Sequence, residues 1–187
     1  MNDALARAID DGRRELVAVP DGHLPLPLRR QVRAALGGRS LRADLAIASA
    51  QRVLSIWSAA GVGDLAGRIL ADAARVQTGA LSREDGRHLS DVYRSDCEAL
   101  DSQRIGLPAF YAAYAAAAAL SAALDDEVSD SHGRQSDSDL DPDEWEAALW
   151  ASAAWSGGFP WENGSDSGRR REFWRWWLGA VSGEERA

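Results

Sequence analysis

The side chains best able to do chemistry crowd into one stretch. From 125 to 144 Asp125, Asp126, Glu127, Asp130, Asp137, Asp139, Asp141, Asp143 and Glu144 stand against a single cation, Arg134. Carboxylates at this density can hold a divalent ion, cap a helix or draw a basic partner. The spacing Asp137-x-Asp139-x-Asp141 matches the opening of an EF-hand loop. Such a loop needs Gly at its sixth position for the sharp turn and a bidentate Glu at its twelfth. Here those positions are Pro142 and Ala148, so a calcium loop is not expected. Glu98-x-x-Asp101 and Asp143-x-x-Glu146 each place two acids on one helix face, as a carboxylate-bound Mg²⁺ enzyme would. The same pairs also read as solvated surface, because charged residues are almost never buried without partners.

Other candidate chemistry is sparse. His23, His88 and His132 and the sole cysteine, Cys97, are scattered without zinc-site spacing. Asp85-x-x-His88 is half of a di-iron motif that lacks its second copy. Cys97 shares an apolar helix face with Leu89 and Tyr93 and reads as a buried structural thiol. Gly61-x-Gly63-x-x-Ala66 resembles a dinucleotide fingerprint, but that motif must follow a strand, and an amphipathic helix precedes it. No catalytic residue, metal or cofactor is therefore expected.

Binding remains. The net charge is −8, which argues against a nucleic-acid binder and suits a basic protein partner. The expected partner-binding residues are Asp137, Asp139, Asp143 and Glu144, joined by Trp161 and Glu162 in a Gly/Pro-rich loop. Asp141 and Glu144 are also placed to cap a helix, so Asp137, Asp139 and Asp143 are the cleaner probes. The bland alternative is a solvated acidic loop with no partner. Arg169-Arg170-Arg171 is the one basic run, and ion pairs with the acidic loop are its simplest use.

The elements that must position these residues are helices. The central one is Leu107–Leu124, LPAFYAAYAAAAALSAAL, with no charged side chain. Alanine loses no side-chain entropy in a helix, and Pro108 suits the first turn. Apolar on every side, the segment must be buried on every side or span a membrane, and alanine's weak hydrophobicity favours burial. Helical periodicity predicts a first helix over 3–17, with Leu5, Ala8, Ile9, Gly12 and Leu16 inward. A second carries Leu28, Val32, Ala35 and Leu36, after an extended piece pinned by Leu24 and Leu26. Ser40 is expected to cap a third, with Ala43, Ala46, Ile47, Ala50, Val53, Leu54 and Trp57 inward and Ser49 mostly outward. Asp64 and Ser82 open two more, the first with Leu65, Ile69, Ala73 and Val76 inward. Asp141-Pro142-Asp143-Glu144 is a strong helix start, with Trp145, Ala148, Leu149 and Ala153 facing in. The last helix buries Phe173, Trp174, Trp177, Leu178 and Val181.

The whole is expected to be an all-α domain over 1–187: a single-domain bundle of seven or eight helices around the buried alanine-rich helix. An acidic loop over 127–140 and a Gly/Pro-rich loop over 156–168 interrupt it. The N-terminus has no basic region followed by an apolar core, so a signal peptide is not expected and a cytoplasmic location is.

Three stretches carry a family resemblance: LAIASAQRVLSIW (45–57), DPDEWEAALWASAAWSGG (141–158) and RRREFWRWWLGAV (169–181). With HLPLPLRR (23–30) before them, their order and spacing resemble the fifth numbered immunity-protein family of bacterial polymorphic toxin systems. The resemblance implies an all-helical, non-catalytic protein. It further implies binding and inactivation of a cognate toxin domain, often a nuclease, encoded beside it. It supplies no contact residues. The alternatives from the residues alone are a small helical Mg²⁺–carboxylate enzyme and a generic helical adaptor.

Overall fold

In chain order the helices are α1 (Asp3–Ala18), α2 (Leu26–Leu36), α3 (Arg39–Ala59), α4 (Leu65–Thr78), α5 (Arg83–Glu98), α6 (Ser102–Ile105), α7 (Leu107–Leu124), α8 (Ala147–Ser156) and α9 (Ser167–Ser182). Two 3-10 turns, Asp137–Asp139 and Pro142–Glu144, come between α7 and α8. This computed structural model describes residues 2–124 and 136–183, and among them there is no strand. Of the acidic stretch, Asp125, Asp126, Glu127, Asp130 and Arg134 lie outside the described residues, as does His132. The fold is all-α, and the one-turn α6 accounts for the helix beyond the expected seven or eight.

The alanine-rich α7 is the axis. Helices α3, α4, α5 and α8 pack around it. Ala113, Ala115, Ala116, Ala119 and Ala123 are wholly enclosed, because methyl side chains let neighbouring backbones come close. It is long and apolar enough to cross a membrane, yet ten of its eighteen residues are buried against the protein's own helices. Its remaining face is partly open, and Ala117 is only half-buried. Ala116 is thus the site that tests its centrality. Ala116→Leu is expected to overpack the core and to cost about 1–3 kcal/mol in thermal or urea unfolding. An unchanged midpoint would make α7 peripheral. Close approach recurs at Gly86 on α5, where a β-carbon would lie 2.8 Å from Leu124 and from Val76.

Local corrections follow from packing. Helix α3 begins at Arg39 with Gly38 before it, so Ser40 is not its cap. It touches α4, α7, α8 and α9, so its buried face is wider than a single stripe. Leu45 is buried, and Ser49 is enclosed with its hydroxyl donating to the Leu45 carbonyl at 2.8 Å. The Asp141-Pro142-Asp143-Glu144 sequence does form a capping box, but on a 3-10 turn. Trp145 and Glu146 are then extended, and α8 starts only at Ala147. On the other side, α1 packs on α2 and α9. Its inward residues are the expected Leu5, Ala8, Ile9, Gly12 and Leu16. Phe173, Trp174, Trp177 and Leu178 of α9 close the core.

Candidate functional site

Helix α2 carries an arginine where its apolar stripe requires a hydrophobe: Leu26, Arg29 and Val32 all point inward. Arg29 has no exposed surface. A cation cannot stay buried without compensation, and two carboxylates from the acidic segment supply it. Arg29 donates from Nη1 and Nη2 to both oxygens of Asp137, the Nη1 bond measuring 3.0 Å, and from Nε to Glu146. Nη1 also reaches the Leu24 carbonyl at 2.6 Å, and the guanidinium lies over the Trp174 ring. Arg33 pairs with the second oxygen of Glu146 at 2.9 Å. His23 Nε2 meets Asp137 at 2.8 Å.

The electrostatics follow. Burial pushes the Asp137 carboxyl up, but the Arg29 charge and the hydrogen bonds from His23 and Arg29 outweigh it and hold it well below the carboxylate range. Glu146 is lowered in the same way, with Arg29 and Arg33 overcoming its burial. Burial pulls the His23 imidazole below its ordinary value more strongly than the Asp137 bond raises it, so it is neutral at pH 7. Nε2 then donates to Asp137, and Nδ1 has no hydrogen-bond partner among the described residues.

This network splits the acidic segment. Asp137, expected on the partner-facing surface, is 3% exposed and serves as an internal anchor. Neutralising it would therefore disturb stability, and it is no clean surface probe. Asp139, Asp141, Asp143 and Glu144 are exposed. Glu144 accepts from the Asp141 backbone N–H at 3.2 Å, as its capping position requires. Asp143 pairs with Arg94 of α5 at 3.0 Å. The Trp145 indole donates to the Asp137 carbonyl at 3.0 Å, fastening the turn from its other side.

Trp161 stands beside this edge. It is 48% exposed and stacks flat on Phe159, with centroids 4.9 Å apart and planes 1° from parallel. Its ring lies 5.8 Å from that of Trp145. Glu162 is half-buried and turned inward. Its carboxylate accepts from the Phe159 N–H at 2.7 Å and from the Tyr111 hydroxyl at 2.7 Å. Gly158 lies close beneath it, and a β-carbon there would come within 2.8 Å of the carboxylate and push it aside. Burial and this bond raise the Tyr111 phenol pKa, keeping the donor proton in place.

A family model described as Immunity protein Imm5 matches residues 9–182, nearly the whole chain. The chain belongs to the Imm5 immunity-protein family. Its partner is accordingly a toxin protein. A search of curated proteins finds no match.

In this immunity protein the remaining candidates go to structural duties. The acids of Asp143-x-x-Glu146 diverge, Asp143 to Arg94 outside and Glu146 to Arg29 inside. Glu98 is exposed, and Asp101 caps α6. Among the described residues no three His, Cys, Asp or Glu side chains converge as a metal site. Cys97 is buried, and that burial, with Asp96 and Glu98 adding to it, pushes its thiol up to about 12. His88 is exposed. The basic run makes no ion pair with Asp137, Asp139, Asp141, Asp143 or Glu144. Instead Arg170 is buried on the carbonyls of Asp21 and Gly158, Arg171 binds those of Leu16 and Val19, and Arg169 lies over Trp155. Sequence reasoning missed Arg29 and did not join it to His23 and Glu146. Arg29 did leave a signal, a charge at the i+3 position of the stripe Leu26, Arg29, Val32.

Proposed function

We propose that this immunity protein neutralises a nuclease toxin by presenting the exposed carboxylates of Asp139, Asp143 and Glu144, beside Trp161, to the basic surface that holds the nuclease's substrate. Glu162 positions Trp161 from behind. The protein does this without catalysis of its own, in the cytoplasm of the producing cell. The observation that carries the reading is the division of labour in the acidic segment. Asp137 and Glu146 lock onto the buried Arg29, and the carboxylates between them are left facing outward on a fixed frame.

A nuclease must carry positive charge to bind phosphates. Carboxylates held in a fixed array can take the place of those phosphates. Long-range attraction also speeds encounter, which matters against a lethal partner. The test is the association rate as a function of salt, with catalytically inactivated toxin. The double change Asp139→Asn, Asp143→Asn is expected to slow association about threefold to tenfold at low salt and to flatten its salt dependence. The melting temperature should hardly move, because both groups are exposed. Capture at the wild-type rate would show that the toxin binds elsewhere.

A further inference from the structure

The acidic edge borders a ledge of aromatic rings that the folding core does not fully use. Tyr114 and Phe110 of α7 lie 4.7 Å apart, Tyr114 and Trp150 4.8 Å, Trp150 and Trp145 4.9 Å, and Trp145 and Phe159 4.7 Å, and Phe159 carries Trp161. Phe110, Tyr114 and Trp145 are only half-buried, and Trp161 is exposed. The outermost ring is also rigid. Glu162 ties the Phe159 backbone to Tyr111, the Glu162 N–H returns to the Phe159 carbonyl at 3.0 Å, and Ser165 closes onto the Glu162 carbonyl. A large aromatic group held outward at little further entropic cost is the usual anchor of a protein interface.

The carboxylate at the rim of this ledge is Asp143. In the free protein it is engaged by Arg94, with the Asp143 side chain 72% and the Arg94 side chain 52% exposed. Burial raises the Tyr114 phenol pKa, and Cys97, Glu98 and Asp143 add to the rise, which puts the phenol and these acids in one neighbourhood. The protein's own guanidinium therefore already demonstrates what the rim accepts. An exposed pair of this kind is weakly held and readily exchanged.

We propose that an arginine-bearing loop of the toxin docks on this ledge, its guanidinium taking Asp143 from Arg94 while the residues beside it cover Trp161. Arg94 is then a placeholder rather than a contact. The toxin is the occupant because membership of the immunity-protein family supplies a protein partner and the rim calls for a cation. A guanidinium pairs with a carboxylate along its edge and stacks on aromatic faces, which a lysine ammonium does less well. The proposal rests on the acidic-edge reading above but fails separately from it.

The experiment uses the full chain and inactivated toxin, and reads association rate and Kd. Arg94→Gln is expected to speed association and tighten binding about threefold to tenfold, because it frees the rim carboxylate. Arg14→Gln is the matched control. It removes the same charge from the same kind of exposed Arg–Asp pair, on α1, which packs on α2 and α9 away from the ledge. It should change binding by less than about twofold, since distant surface charges are screened. Trp161→Ala should weaken binding by at least about thirtyfold. Should that variant lose stability, the arginine pair still decides. Equal gains from Arg94→Gln and Arg14→Gln would make the effect one of net charge and overturn the ledge, leaving the acidic edge standing. Weaker binding by Arg94→Gln would make Arg94 a contact and overturn the placeholder. A stable Trp161→Ala that binds like wild type would also overturn the ledge. If Asp139→Asn, Asp143→Asn is neutral as well, the acidic edge falls with it.

Discussion

Replacing Arg29 with methionine is expected to cost about 3–5 kcal/mol of folding stability. Methionine keeps an unbranched stem in the space beneath Trp174 but removes the charge. Asp137 and Glu146 are then left ionised in the interior, with His23 and Arg33 as their remaining ion-pair partners among the described residues. Breaking a buried pair on one side costs more than the pair itself contributes, because the orphaned charge has lost its water as well. For the same reason the triple change Arg29→Met, Asp137→Asn, Glu146→Gln should cost less than the three single changes added together. Urea unfolding measures all four, and a wild-type midpoint for Arg29→Met would show that the network does not lock the segment.

The same network sets the acid limit of stability. His23, Asp137 and Glu146 all have folded pKa values below their ordinary ones of 6.5, 3.8 and 4.5. In each case the unfolded chain binds the proton first as the pH falls. The stabilisation is therefore complete above the ordinary value and is lost below it. Loss through His23 begins below about pH 6.5, and loss through the two carboxylates begins near pH 4. Asp137→Asn should remove much of the second stage, and an acid profile unaltered by that change would exclude Asp137 as its source.

Trp177→Ala is expected to destabilise the fold by about 3–5 kcal/mol. The ring is 1% exposed, lies edge-on to Trp174 at 5.7 Å and belongs to the helix that joins α1 and α8. Among the described residues no group accepts a hydrogen bond from its indole N–H. The penalty is accordingly one of lost contacts and a residual cavity, not of a broken polar network. Trp161→Ala makes the contrast, since that ring is half in solvent and its loss should be felt in binding rather than in melting. Chemical unfolding of both variants, with toxin binding measured on the folded protein, separates the two roles. A Trp177→Ala protein of unchanged stability that fails to bind would reverse them and make α9 a contact helix.

The elements themselves were legible because they answer to local rules. Alanine propensity and the absence of charge specified α7, and helical periodicity placed the five inward residues of α1 and the four Trp-helix residues that close the core. The family resemblance in the Trp-rich stretches was legible for a similar reason, since order and spacing along the chain are all it requires. What the acids do was not legible. Asp137, Asp139, Asp143 and Glu146 are alike in one dimension, four of the six carboxylates in the ten residues 137–146. Which of them face inward depends on a cation more than a hundred residues earlier, and on whether 136–146 extends or coils. Local propensity favoured a helix from Pro142. The three bonds from Arg29 outweighed it by holding Asp137 and Glu146 on different edges of one guanidinium, so α8 starts five residues later. Ser49 and Arg170 were misplaced on the same account. A residue's exposure is decided by the second and third helices that reach it, and a pattern along one helix records only the first.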